Sequence, residues 1–125
     1  MFTLNQILDT EFPFIQGGMA NVATGRFAAD VANAGALGLI GCGAKNGEQV
    51  REEIRIAKDH TDKPFGVNIM LMSPFIDDIA QVVMDEGVKY LTTGAGNPGK
   101  FINDWKAEGI KVFPVVAFPA LAQRL

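Results

Sequence analysis

Short apolar runs recur along the chain, and each is followed by a stretch whose apolar residues fall at helical spacing. The runs are "FPFIQ" (12–16), "ALGLI" (36–40), "PFGVNIML" (64–71), "VKYLTT" (88–93) and "IKVFPVV" (110–116). "ALGLI" has no polar alternation, as expected of a strand covered on both faces. After the first run, Thr24 caps a helix whose apolar face is Phe27, Ala28, Val31 and Ala32. The next helix carries Val50, Ile54 and Ala57 on one stripe, with Glu48, Arg51, Glu52, Arg55 and Lys58 facing water. Ser73 and Pro74 read as an N-cap and a first helical residue, ahead of Phe75, Ile76, Ile79, Ala80 and Val83. Asn97 and Pro98 repeat that pairing before Phe101, Ile102 and Trp105, and "FPALAQRL" (118–125) reads as the opening turns of one more helix.

A weak internal repeat supports this organisation. "DEGVKYL" (85–91) and "AEGIKVF" (107–113) are each a helix end, a glycine and a strand start. Strands that alternate with helices form a parallel sheet with right-handed crossovers. Two α/β architectures fit: a complete five-stranded doubly wound sheet, or the first part of a (β/α)8 barrel, which normally needs about 250 residues. The length of 125 residues favours the first. The motifs have to decide.

Composition narrows the functional classes. At 48% hydrophobic, 20% charged and net charge -3, the chain is an ordinary globular domain with one core. Mild acidity offers no electrostatic case for nucleic acid or an anionic membrane as partner. Cys42, the single cysteine, cannot form an intrachain disulfide and fits a reducing compartment. The amino-terminal stretch lacks the pattern of a secretory signal, and no apolar run approaches a bilayer span. A soluble cytoplasmic protein is the expectation.

Candidate chemistry gathers at three glycine corners: Gly17–Gly18, Gly41 to Gly43, and Gly94 to Gly96. Each follows the carboxyl end of an expected strand, the edge where parallel α/β proteins bind ligands. A residue without Cβ lets a flat or phosphorylated ligand approach the backbone; the plainer reading is loop punctuation. "GAGNPG" (94–99) matches a dinucleotide fingerprint, but "VVAFPA" (115–120) lacks the acidic residue such a site needs, and Pro98 removes a donor. Asn68 interrupts an apolar strand; its carboxamide suits the edge of a heterocycle or, equally, neighbouring backbone. Thr92 and Thr93 are hydroxyls at another strand end. Cys42 and His60 do not make a catalytic pair or a metal site, and Asp77, Asp78, Asp85 and Glu86 read as a solvated helix face.

Taken in order, "QGGMA" (16–20), "AGALGLIGCG" (34–43), "DKPFGVNIMLMSPF" (62–75) and "VKYLTTGAGNPGKF" (88–101) resemble the flavin-type enoyl-acyl-carrier-protein reductases of bacteria. These belong to the wider nitronate monooxygenase, or 2-nitropropane dioxygenase-like, family of FMN barrels. The resemblance implies a TIM (β/α)8 barrel with FMN across the strand carboxyl ends. It places Gly17, Gly18, Met19, Ala20, Gly41 and Gly43 against the isoalloxazine, has Asn68 bond the ring, and has Thr92, Thr93 and Gly94 close the same wall. It also implies hydride transfer from NADH or NADPH, through FMN, to the β-carbon of an acyl-carrier-protein-linked 2-enoyl thioester in fatty-acid biosynthesis. Residues 1–125 are then expected to be a partial FMN-binding barrel domain, about four and a half βα units ending in the fifth helix. The family's catalytic histidine and phosphate-binding loops have no counterpart here, so no catalytic residue is assigned. The isolated chain is expected to be inactive and to form a homo-oligomer. Alternatives are a nitronate monooxygenase, a non-catalytic self-associating half barrel, and a complete flavodoxin-like domain.

Overall fold

Four parallel strands form one sheet in the order in which they occur along the chain. In the computed structural model, which describes Met1 to Leu125, these are β1 (Gly38–Gly41), β2 (Phe65–Met70), β3 (Tyr90–Gly94) and β4 (Lys111–Pro114). The helices are α1 (Leu4–Leu8), α2 (Gly25–Asn33), α3 (Gly47–His60), α4 (Ile76–Asp85), α5 (Ile102–Ala107) and α6 (Pro119–Arg124). A doubly wound sheet must reverse its strand order at a switch point. Here every strand pairs with its predecessor, so the doubly wound alternative is excluded. The chain forms a sector of a (β/α)8 barrel.

The two faces of the sheet carry different layers. Ile40, Val67, Ile69 and Leu91 pack under the helices against Val50, Ile54, Ala57, Ile79, Val83 and Trp105. The alternate positions turn to the barrel interior, where Leu37, Leu39 and Tyr90 join Leu8 of α1. That short helix closes the amino-terminal end of the interior. Tyr90 Oη donates to Asp9 Oδ2 at 2.5 Å, and Lys111 Nζ donates to the Ile7 carbonyl at 2.6 Å. Burial, then the bond to Asp9, push the Tyr90 phenol well above its ordinary pKa.

Sequence expectations and structure differ at several places, among them the Asn97–Pro98 cap, which opens a 3-10 turn (Pro98–Lys100) ahead of α5. The segment 12–16 is hydrogen-bonded alongside residues 35–37 but makes a single bridge, Ile15 to Leu37, instead of a strand. α4 starts at Ile76 because Ser73 closes a turn: its Oγ accepts from the Phe75 N–H at 3.2 Å, and its carbonyl accepts from the Ile76 N–H. Finally, Arg51, Arg55 and Lys58 are not simply solvated. All three reach the Glu86 carboxylate at the end of α4, at 2.9, 3.0 and 3.2 Å, and tie α3 to α4. No helix is long and apolar enough to cross a membrane.

Candidate functional site

The site is built on one row of the sheet. Parallel register aligns Gly41 with Asn68, and Asn68 with Thr92. Since side chains on one row share a face, Asn68 and Thr92 both project into the barrel interior. There Thr92 Oγ1 donates to Asn68 Oδ1 at 2.7 Å. That bond fixes the carboxamide through its oxygen, and its Nδ2 hydrogens make no hydrogen bond within the protein. Thr93, one residue on, points the other way, under the helices. It is fully buried, and its Oγ1 has no hydrogen-bond partner. Strand alternation therefore separates the two threonines, contrary to the expectation that both line one wall.

The loop after Ile15 crosses the tips of these strands. Gly18 lies directly against Asn68, the Met19 backbone covers Gly41, and Ala20 meets Gly43. A β-carbon on Gly41 would sit 2.7 Å from the Met19 carbonyl oxygen. Gly18 and Gly41 thus lack Cβ so that the chain can pack on itself, and the space beside them is filled by protein, not left for a ligand as expected from sequence. Gly17 and Gly94 are different: a β-carbon at either would meet nothing within 4 Å. The loop is anchored again where the Gly41 N–H donates to the Ala23 carbonyl at 2.8 Å. Between these anchors the backbone N–H groups from Gly17 to Asn21 make no hydrogen bond within the protein. A run of free donors beside a pinned amide and two open glycines suits a flat ligand rich in acceptors.

Other candidates do not converge there. Cys42 is buried among the helix-side core residues. Burial pushes its thiol up to about 12, with Lys45 pulling slightly the other way. His60 is exposed in the last turn of α3, with Nδ1 2.8 Å from the Ile56 carbonyl. A cleft of about 340 Å³ between Lys58, Lys63, Phe65 and Tyr90 lies at the opposite, amino-terminal end of the strands. Parallel β/α proteins do not place their chemistry on that edge. One residue missed from sequence is Gln16, whose side chain bonds the backbone of Leu39. Its signal was a carboxamide set between an apolar run and a glycine pair.

These features define a sector of a parallel β/α barrel with a donor-rich edge at the carboxyl ends of its strands. The chain belongs to the nitronate monooxygenase family, whose model matches residues 2–117. Among solved structures, FabK from Thermotoga maritima superposes with a TM-score of 0.93 and 46% identity, over 97% of this chain and 39% of that one. A probable nitronate monooxygenase of Staphylococcus aureus is 43% identical over 70 residues, 56% of this chain and 20% of that protein. Nitroalkane oxidase from Streptomyces ansochromogenes shares the fold, with a TM-score of 0.85 at 22% identity over 94% of this chain and 44% of that one. The chain thus spans less than half the length of each of these proteins.

Proposed function

We propose that the Gly17–Asn21 backbone, Asn68, Thr92 and Gly94 form one wall of an FMN site. The protein would reduce acyl-carrier-protein-linked 2-enoyl thioesters with NADH or NADPH, in fatty-acid biosynthesis. The observation that carries this reading is the Asn68 carboxamide, pinned by Thr92 at 2.7 Å with its amide hydrogens free. An isoalloxazine edge is lined with nitrogen and oxygen acceptors, which the free N–H run and Asn68 Nδ2 complement. Open space at Gly17 and Gly94 leaves room for a planar ring beside the backbone. When bound, FMN supplies two-electron hydride chemistry; this chain supplies binding and orientation. Met19, Met70 and Met72 are exposed apolar side chains in the Gly17–Asn21 loop and at the end of β2. They would shield the ligand from water. No residue here is assigned as proton donor, because Cys42 is buried under helices and His60 lies in the last turn of α3.

The FabK likeness, at 46% identity over 97% of the chain, supports the enoyl reductase reading. A second reading, oxidation of an alkyl nitronate with O₂, is favoured by the family model and the staphylococcal relative. Both reactions use the same ring wall. In the whole protein, NAD(P)H oxidation coupled to loss of a crotonyl thioester is expected, and nitronate-dependent oxygen uptake with no thioester turnover would replace the first reading by the second. For this chain, quenching of FMN fluorescence is expected to saturate and to weaken in Asn68→Ala. Absence of any quenching would remove the flavin assignment. We also propose self-association, since β4 is hydrogen-bonded to a neighbour on only one side; sedimentation as a stable monomer would refute it.

A further inference from the structure

The edge segment 12–16 leaves the sheet after one bridge, and the side chain of Gln16 takes over where its backbone stops. The Leu37 N–H donates to the Phe14 carbonyl, and the Gln16 N–H donates to the Leu37 carbonyl, both at 2.9 Å. In a parallel ladder the next two rungs would join the Leu39 N–H to the Gln16 carbonyl, and the Gly18 N–H to the Leu39 carbonyl. Neither backbone bond forms. Instead Gln16 Oε1 accepts from the Leu39 N–H at 2.8 Å, and Gln16 Nε2 donates to the Leu39 carbonyl at 3.3 Å. The same Nε2 also donates to the Gly17 carbonyl.

One carboxamide therefore replaces two backbone rungs. A carboxamide has the donor and acceptor geometry of a peptide group, so β1 keeps its edge bonds while the real backbone is released. Release is what allows Gly17 and Gly18 to turn across the strand tips, seats Gly18 on Asn68, and leaves the N–H groups of Gly17 to Asn21 unspent. We infer that Gln16 is the positioning residue of the ligand edge: it holds the Gly17–Asn21 donors in place by standing in for the strand they have left. The inference rests on the flavin reading only for the identity of the ligand.

The test uses the full chain with two substitutions. Gln16→Met keeps the length and removes both polar atoms; Gln16→Glu keeps the acceptor and removes the donor. Amide hydrogen exchange is read without ligand at Leu39, at Gly41 (bonded to Ala23), and at Leu91 in β3 as a reference. Gln16→Met is expected to speed exchange at Leu39 and Gly41 at least about tenfold, with Leu91 unchanged, and to weaken FMN binding by a similar factor. Gln16→Glu is expected to keep Leu39 protected while Gly41 loses protection. Unchanged exchange at Leu39 and Gly41 in Gln16→Met would overturn the inference. So would a uniform loss that includes Leu91, or local loosening with undiminished FMN affinity. If Gln16→Met does not fold, the Gln16→Glu pattern decides alone, and a uniform loss there counts against the inference. Failure of the unaltered chain to bind FMN would sink the flavin reading instead, and the exchange pattern would still judge the role of Gln16.

Discussion

Gly18 and Asn68 are in direct backbone-to-side-chain contact: a β-carbon on Gly18 would stand 2.7 Å from Asn68 Cγ and 2.9 Å from Nδ2, and closer still to Cβ. The close approach couples the glycine corner to the one polar side chain of β2.

Gly18→Ala should displace the loop, because its new methyl group has no room beside Asn68. Overpacking of this kind costs about 1–3 kcal/mol. Thermal denaturation should show a lower Tm, and FMN titration a weaker affinity. Asn68→Ala should not rescue the variant, since the clash with the residue 68 β-carbon persists; Asn68→Gly should recover the lost stability in part. Equal stability of Gly18→Ala and the unaltered chain would mean that the loop is not seated on Asn68.

Thr92→Val keeps the shape of the side chain and removes the donor to Asn68 Oδ1. Losing one such bond is worth about 0.5–1.5 kcal/mol. The larger effect should appear in ligand binding, because the freed carboxamide can rotate its Nδ2 away. Thr92→Ser should behave nearly normally in both denaturant unfolding and FMN titration. Thr93→Val should be neutral or stabilising, since the Thr93 hydroxyl is buried without a partner.

Cys42 should be inert. Its thiol is fully buried and pushed up to about 12 by desolvation, so almost no thiolate exists near neutrality. An alkylating reagent at pH 8 should modify the chain only after denaturant is added, as read by intact mass. Rapid modification of the folded chain would show that this strand end opens.

The α3–α4 clamp should be acid-labile. Burial pushes the Glu86 carboxyl up, but hydrogen bonds from Arg51, Arg55 and Lys58 outweigh it and hold it at about 2, against an ordinary 4.5. A folded pKa below the unfolded one means that the contribution is complete above pH 4.5 and disappears as pH falls through about 2. The stability gap between the chain and Glu86→Gln should therefore be widest above pH 4.5 and close toward pH 2. Urea midpoints across that range measure it, and a gap independent of pH would remove the ion cluster from the account. Added salt should also narrow the gap, since Arg55 and Lys58 are solvent-exposed.

The sequence by itself determined the succession of strands and helices, because that information is local. Val50, Ile54 and Ala57 recur at the helical period, and all three are buried on α3. The Thr24 hydroxyl caps α2 through the Phe27 N–H, as its place before an apolar face implies. The glycine corners and the Asn68 interruption were equally visible, since each breaks an apolar run. Only tertiary structure decided the rest. Strand order, which separates barrel from doubly wound sheet, depends on which strands pair across long sequence distances, and no local pattern encodes that. Register decided that Thr92 meets Asn68 while Thr93 is turned under the helices, a difference of one residue along the strand. Glu86 looked like part of a solvated face until α3 brought Arg51, Arg55 and Lys58 to it. Gln16 looked like the last residue of a strand, and only the position of Leu39 beside it turned its side chain into a pair of missing rungs.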